Sequence, residues 1–211
     1  MSLAVSRKRW RIPRWTLSHV GFIGRSGACR FSDLCDVVDR QAEGIALMAL
    51  MVIAHYADDD TGLAKLTYDT LTIATSLSRA RLSHGLQILH EKQIVHSGHG
   101  RSEYQLAGYR HNGGWGKLPA RRLYTGESIT AFRDFYLRKA AELTAMKLYL
   151  LLVARRNRMT NMTHISYDTM IEYGIEQIRI KSGLSLYGWT RIDSHRTRAE
   201  HPKQLRHLQC L

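Results

Sequence analysis

The sequence has little cysteine and no long apolar run. Its three cysteines, Cys29, Cys35 and Cys210, are an odd number without a CxxC pair, which argues against a disulfide framework and a zinc knuckle. The longest apolar run, 45–54, is about half of the roughly 20 residues that a membrane-spanning helix needs. No apolar segment follows the basic N-terminus, so we expect no secretory signal, no membrane partner and a cytoplasmic location.

Acidic residues are also few, with 18 Asp and Glu against 31 Lys and Arg, which gives a formal net charge of +13. A charge of this size is informative about partners rather than fold. Each phosphate that a basic side chain neutralises releases condensed counterions, so nucleic acid is the expected partner. An anionic membrane is the alternative, but no segment combines a basic face with a broad apolar face that has no role in the core.

Motifs for catalysis and metal binding are missing as well. The sequence contains no GxxxxGK[ST], GxSxG or HExxH motif, so we expect neither an enzyme nor a cofactor. His84, His90 and His96 are spaced by six residues, which puts successive members about 240° apart on a helix and prevents a shared ion. His96 and His99 are closer, but two ligands without a nearby Cys or carboxylate make a poor site. We predict no metal.

One pentapeptide occurs twice in the chain. LTYDT at 66–70 and ISYDT at 165–169 are 99 residues apart, too far for a solenoid repeat and suitable for a duplicated small domain. Upstream, LTAMKLYLLLVARRN at 143–157 aligns without a gap to GIALMALMVIAHYAD at 44–58. Downstream, the offset falls to 98, which aligns Gly183 with Gly85 and Arg179 with Arg81. The change predicts one deletion in the turn between the second and third helices of the second copy.

The first copy has the pattern of three helices followed by a hairpin. Apolar residues at helical spacing predict a buried first helix that ends at an acidic, glycine-containing turn. Thr67 and Ser78 are suitable N-caps for the second and third helices. The predicted elements are a first helix over 43–56, a second over 68–74, a third over 79–92, strands over 93–97 and 102–106, and a tight turn at 98–100.

These residues resemble two known groups of proteins. LSRARLSHGLQILHEKQIVHSGHGRSEYQL at 77–106 resembles the recognition helix and wing of winged helix-turn-helix regulators. WGKLPARRLY, LTAMKLYLLLVARRN and ISYDTMIEY, within 115–186, are similar to winged-helix domains of plasmid and phage replication initiators, in which a strand with a Lys-Leu-Pro-like motif precedes the first helix. The resemblance implies a mainly α fold with small β wings and two winged-helix domains in tandem.

The expected organisation follows from these segments. Residues 1–40 form a basic arm and a short packed segment, 41–109 the first winged-helix domain, 110–128 a glycine-rich linker, and 129–211 the second domain with a polar tail. In the second domain a helical stretch over 130–141 precedes the first repeated helix, and 189–193 is the candidate wing strand. The polar tail has no clear return strand, which leaves the completeness of the second wing open.

The implied function is binding of double-stranded DNA with sequence preference, as in a replication initiator. A transcriptional repressor of a mobile element is one alternative, and a tandem winged-helix protein-interaction scaffold with non-specific DNA affinity is another. A homo-oligomer is not required, because the tandem domains form a pseudo-dimer. Interaction-type winged helices carry apolar or acidic faces on the third helix, whereas this one carries Arg79 and Arg81.

The candidate DNA-binding residues lie on the third helices, the wing and the arm. The third helix of such a fold enters the major groove, where arginine pairs with guanine and glutamine with adenine, and helix N-termini bind phosphate. A solvated face without contacts is the alternative reading of each set, and Glu176 at the cap position would repel phosphate from the second helix. The candidates are Thr67, Ser78, Arg79, Arg81, Ser83, His84 and Gln87 in the first domain, His99 and Arg101 in its wing, Gln177, Arg179, Lys181 and Ser182 in the second domain, and Arg7, Lys8, Arg9 and Arg11 in the arm.

Overall fold

The protein is mainly helical, with small antiparallel sheets. None of the helices in the described part of the chain combines the length and apolar character that a membrane span requires. The computed structural model describes residues 12–13, 37–58, 60–98, 100, 102–107, 109, 115–116, 123–137, 139–157, 160, 162–189 and 207–209.

The first half of the fold places three helices against one small sheet. Strand β4 (Glu103–Leu106) lies between β2 (Leu63–Lys65) and β3 (Val95–Ser97), and all neighbours are antiparallel, with Leu63 opposite Gln105 and Val95 opposite Leu106. A short strand, β1 (Ile12–Pro13), precedes this half. Its elements are α1 (Val37–Tyr56), β2 (Leu63–Lys65), α2 (Tyr68–Thr75), α3 (Arg79–Glu91), β3 (Val95–Ser97) and β4 (Glu103–Leu106).

The second half repeats the order of helix, strand, helix, helix and strand. Before the repeat, β5 (Trp115–Gly116) pairs with β1, and β6 (Tyr124–Thr125) and β7 (Ser128–Ile129) form a hairpin. After it, β9 (His207–Gln209) returns to pair with β8 (Met162–His164). The elements are β5 (Trp115–Gly116), β6 (Tyr124–Thr125), β7 (Ser128–Ile129), α4 (Ala140–Arg155), β8 (Met162–His164), α5 (Tyr167–Glu172), α6 (Gln177–Trp189) and β9 (His207–Gln209).

The repeated pentapeptide caps the second helix of each half. Thr67 Oγ1 accepts a hydrogen bond from the Thr70 amide at 3.2 Å, and Ser166 Oγ accepts one from the Thr169 amide at 3.2 Å. These side chains satisfy backbone donors that a helix start leaves unpaired. The prediction that both copies occupy the same kind of element is confirmed.

The glycines of the third helices also correspond. A Cβ on Gly85 would lie 2.6 Å from Ile45 Cγ2, and one on Gly183 would lie 2.7 Å from Thr144 Cγ2. Ile45 and Thr144 are themselves 99 residues apart, so α3 packs on α1 as α6 packs on α4. The shared feature is a close helix approach that only glycine allows.

The deletion that was predicted in the turn between the second and third helices falls instead within the second helix of the second half. α2 has 8 residues and is followed directly by the left-handed Ser76 at φ 57°. α5 has 6 residues and is followed by Tyr173 and then by the left-handed Gly174 at φ 76°. The two left-handed residues are 98 apart, as are the starts of α3 and α6. The change of offset is therefore absorbed by the shortened second helix.

One hydrophobic core contains side chains from both halves. Leu123 and Phe132, from the segment that joins the halves, belong to the same core. An ion pair also connects the two halves, since Lys147 Nζ on α4 lies 3.0 Å from Glu43 Oε2 on α1. The side chains are only 13% and 10% exposed, and the contact lacks the alignment of a hydrogen bond. The two halves therefore pack against each other through a shared core and are not joined by a linker alone.

Two predicted helices have different bounds in the structure. The first begins at Val37 rather than Glu43, because the polar segment before Glu43 contains no glycine or proline and continues the helix. The helix predicted over 130–141 is wrong, since 131–134 form turns and α4 begins only at Ala140. Leu137 has φ 58°, which a right-handed helix does not allow, and its side chain packs against Gly44 of α1.

The predicted strand over 189–193 is also corrected. Trp189 is the last residue of α6, and 190–193 lie outside the described residues. The partner of β8 is instead β9, with Thr163 opposite Leu208. The apolar residues at the helix end resembled a strand, whereas the paired strand comes from the polar tail.

Candidate nucleic-acid interface

Helix α3 separates a buried face from an exposed polar face. Leu82 and Leu89 are buried in the core, which fixes the rotation of the helix about its axis. Arg81, Ser83, His84 and Gln87 lie about 100° to 160° around the helix from Leu82, and Arg79 is exposed in the first turn. The exposed residues of α3 include all five that the sequence predicted: Arg79, Arg81, Ser83, His84 and Gln87.

The two predicted caps differ in what their side chains do. The Thr67 hydroxyl caps α2 and lies 3.0 Å from the Thr70 hydroxyl, so its oxygen is already engaged within the helix. Ser78 occupies the N-cap position of α3, but its side chain makes no capping hydrogen bond. Of the two, Ser78 is better placed to donate to an incoming phosphate at a helix N-terminus.

Arg79 forms an ion pair within the helix-turn-helix. Its Nη2 lies 2.5 Å from Asp69 Oδ1, which connects the first turn of α3 to the first turn of α2. The side chains are 68% and 72% exposed, so the pair contributes little to stability. Asp69 belongs to the repeated pentapeptide. Arg79 thereby bridges the two helices, with most of its side chain still exposed.

Arg81 differs from Arg79 because no ion pair engages it in the described part of the chain. It is exposed beside Ser83 and His84 in the first two turns of α3. One turn later, Gln87 Nε2 donates to Glu91 Oε1 at 2.8 Å, which draws that amide towards the end of the helix. Arg81 is the basic side chain of this face that is most available for an external contact.

The hairpin after α3 is organised around Glu103. Its Oε2 accepts from the Gly100 amide at 3.1 Å, and its Oε1 pairs with Lys65 Nζ on β2 at 3.1 Å. Burial raises the pKa of Tyr104 beside it, so that hydroxyl stays neutral. The turn is thus held to the sheet at its base. The predicted contacts His99 and Arg101 lie outside the described residues.

The face of α6 is less basic than that of α3. Gln177, Lys181 and Ser182 are exposed, but the Ser182 hydroxyl donates to the Arg179 carbonyl at 3.0 Å. Arg179 Nη1 donates to Glu176 Oε1 at 2.8 Å, and its side chain is 31% exposed. Arg179 also lines a cavity with Arg40 and Lys147. Its surroundings therefore differ from those of Arg81, although the two residues occupy equivalent positions.

The histidines do not form a metal site among the described residues, where no group of three His, Cys, Asp or Glu residues could hold an ion. His90 and His96 do come together, with ring centroids 6.4 Å apart. The helical spacing used in the sequence analysis does not apply to this pair, because the chain reverses at Gln93, where φ is 54°, and His96 lies on β3. Helical spacing no longer applies beyond the end of α3.

The arm residues Arg7, Lys8, Arg9 and Arg11 lie outside the described residues. The sequence did not predict a role for two residues in the described part of the chain. The sequence shows Asp69 only as part of the repeated pentapeptide, whereas in the structure it pairs with Arg79. Ile178 on α6 is 86% exposed, and its spacing of two residues from the buried Ile180 was the available signal.

Comparisons with protein families, with curated proteins and with solved structures found no match to this chain.

Proposed function

We propose that the protein binds double-stranded DNA with sequence preference, through two winged-helix domains in tandem. In the first domain, α1, β2, α2, α3, β3 and β4 follow the order of that fold, and the sheet order β2-β4-β3 supports the interpretation of the hairpin as a wing. The second domain repeats the order with β9 as its return strand. The equivalent caps and glycines support a duplication.

The observation that carries the proposal is the exposed N-terminal half of α3. Leu82 is 0% exposed and anchors the helix, while Arg81, Ser83 and His84 point away from the core. The first turns of a recognition helix are the part that approaches base edges most closely. The formal net charge of +13 supports a polyanionic partner.

The arginines are expected to have different roles. Arg81 is available for bidentate hydrogen bonds with guanine, whereas Arg79 positions α3 against α2 through Asp69. A base contact of this kind contributes about 1–3 kcal/mol of discrimination, and a phosphate contact adds affinity without sequence information. Arg81→Ala should therefore reduce sequence preference, and Lys8→Ala in the basic arm should weaken all duplexes alike.

The experiment measures affinity for a duplex selected from a random pool and for a scrambled duplex. Arg81→Ala should weaken binding to the selected duplex by roughly 5-fold to 150-fold more than binding to the scrambled one. Lys8→Ala is the matched loss of one positive charge and should reduce both affinities equally. An equal loss for Arg81→Ala would make that residue a backbone contact and would move base reading to Gln87 or to α6.

For the biological process, we propose replication initiation of a plasmid or phage, supported by the resemblance of residues 115–186 to such initiators. The selected sequence would be placed on a plasmid that lacks an origin, in cells that express the protein. Maintenance of the plasmid supports an initiator. Loss of expression from a promoter that overlaps the sequence, without maintenance, supports a repressor.

A protein-interaction scaffold is the second candidate, because α6 presents Ile178 at 86% exposure beside Glu176. An apolar or acidic face on the third helix is expected of an interaction-type winged helix. Duplex binding by α6 predicts that Lys181→Ala lowers affinity for DNA. Unchanged affinity, with DNA binding fully sensitive to Arg81→Ala, would assign DNA to the first domain and protein to the second.

A further inference from the structure

The most exposed large apolar side chain among the described residues is on α6. Ile178 is 86% exposed, while Ile180, two residues later, is 0% exposed. Two residues correspond to about 200° around a helix, so Ile178 points away from the core. Its side chain is therefore not part of the hydrophobic core, and a β-branched residue is a weak helix former. The position calls for another explanation.

The internal duplication relates Ile178 to a position on α3. At the offset of 98, Ile178 corresponds to Ala80, which is also exposed and lies between Arg79 and Arg81. Each third helix thus carries an apolar residue at its second position. Because this position lies in the first turn, it belongs to the part of a recognition helix that reaches base edges.

The charges around Ile178 favour nucleic acid over another protein surface, because Glu176 is paired with Arg179 at 2.8 Å while no ion pair among the described residues engages Lys181. Lys181 and Ser182 follow at three and four residues, so they lie on the same face of α6, and both are exposed. A cation at this distance suits a groove edged by phosphates. Within the major groove, the apolar group on a base edge is the thymine C5-methyl, which contacts apolar side chains. A β-branched side chain is stiff and loses little freedom in such a contact.

We infer that Ile178 reads a thymine methyl group in the major groove, which makes it a specificity-determining residue of the second domain. The inference rests on the proposed DNA binding. Ile178 supplies the apolar surface, and Lys181 supplies charge towards the adjacent backbone. The second domain then recognises a thymine-containing half of the site, while Arg81 recognises a guanine-containing half.

The test replaces each thymine of the selected duplex, one at a time, by deoxyuridine, which removes only the methyl group. For the unmodified protein, one replacement should weaken binding roughly fourfold, the value of one buried methyl-sized group. For Ile178→Ala, the same replacement should have no further effect, as expected for a coupled pair. Ile171→Ala removes another exposed isoleucine, on α5, and should leave the deoxyuridine effect intact.

The outcomes separate this inference from the proposed function. If the protein binds the duplex but no deoxyuridine replacement weakens binding, the thymine contact is refuted and DNA binding stands. Equal deoxyuridine effects in the unmodified protein and Ile178→Ala would also refute the contact. If Ile178→Ala instead dissociates an oligomer in sedimentation and leaves DNA affinity unchanged, the residue contacts protein. If no duplex is bound at any salt concentration, the proposed function fails, and the inference fails with it.

Discussion

Removal of the Lys147 charge should destabilise the whole protein. Lys147 Nζ lies 3.0 Å from Glu43 Oε2, and the two side chains are 13% and 10% exposed. Lys147→Met keeps the apolar stem but leaves the Glu43 carboxylate buried beside α4 without this cation. Loss of one partner of a buried pair costs about 3–5 kcal/mol. With an m-value of roughly 2 kcal/mol/M, the urea midpoint should fall by about 2 M.

A surface ion pair provides the control. Lys65 Nζ and Glu103 Oε1 are 3.1 Å apart, but the Lys65 side chain is 74% exposed. Lys65→Met should therefore cost at most about 1 kcal/mol. The double variant Glu43→Leu with Lys147→Met should recover most of the lost stability, because a poorly aligned buried pair offsets its desolvation incompletely.

Urea unfolding, followed by far-UV circular dichroism and by tryptophan fluorescence, measures the stability losses of Lys147→Met and of Lys65→Met. The two signals should coincide, because one core contains side chains of both halves. A cost for Lys147→Met no larger than that for Lys65→Met would refute the buried pair. Two separated transitions would refute the shared core.

Three further predictions concern stability and can be measured by the same unfolding assay. Thr67→Ala and Ser166→Ala should each cost about 1 kcal/mol, because both hydroxyls cap a helix at the same distance of 3.2 Å; a cost for only one would contradict the duplication. Gly85→Ala should cost about 1–3 kcal/mol and should cost more than Gly183→Ala. The added Cβ at Gly85 would lie 3.0 Å from a backbone nitrogen, whereas the one at Gly183 would meet only side-chain atoms. A larger cost for Gly183→Ala would contradict the packing. Burial raises the pKa of Tyr124, so the folded state holds this proton more tightly than the unfolded chain, and the free energy of unfolding should fall as pH rises above about 10. In Tyr124→Phe the free energy of unfolding should fall less over the same pH range, and an equal fall would contradict the burial of that hydroxyl.

The repeated elements could be predicted from the sequence because their signals are local. Thr67 and Ser166 lie three residues before the amides that they cap, and the apolar spacing of α1 and α4 follows one helical period. Gly85 and Gly183 keep their places because each third helix packs closely on a first helix. Local chemistry of this kind remains readable after duplication, while surface residues diverge.

The remaining features depend on contacts between distant residues. Phe132, Phe135 and Tyr136 have the spacing of a helix, yet Leu137 adopts a left-handed conformation that packs it on α1. The pairing of β8 with β9 joins segments on either side of α6, so no local pattern shows it.

The candidate site shows the same limit. Exposure of the α3 residues was predicted because it follows from the period of the helix. The ion pair of Arg79 with Asp69 was not predicted, since its partners lie on different helices. The cavity that Arg179 lines with residues of α4 likewise depends on how α6 packs against that helix, whereas its pair with Glu176 is a local contact between residues three apart. Exposure can therefore be read from sequence, whereas availability for a ligand cannot.

The central claim is sequence-preferring binding of duplex DNA, and the most direct measurement is the affinity of the full chain for a selected and a scrambled duplex over a series of salt concentrations. We expect the selected duplex to bind at least about 1,000-fold more tightly at physiological salt. Both affinities should fall steeply as salt rises, with a slope of about −0.9 for each phosphate contacted. Equal affinity for the two duplexes, or affinities that do not change with salt, would contradict the account.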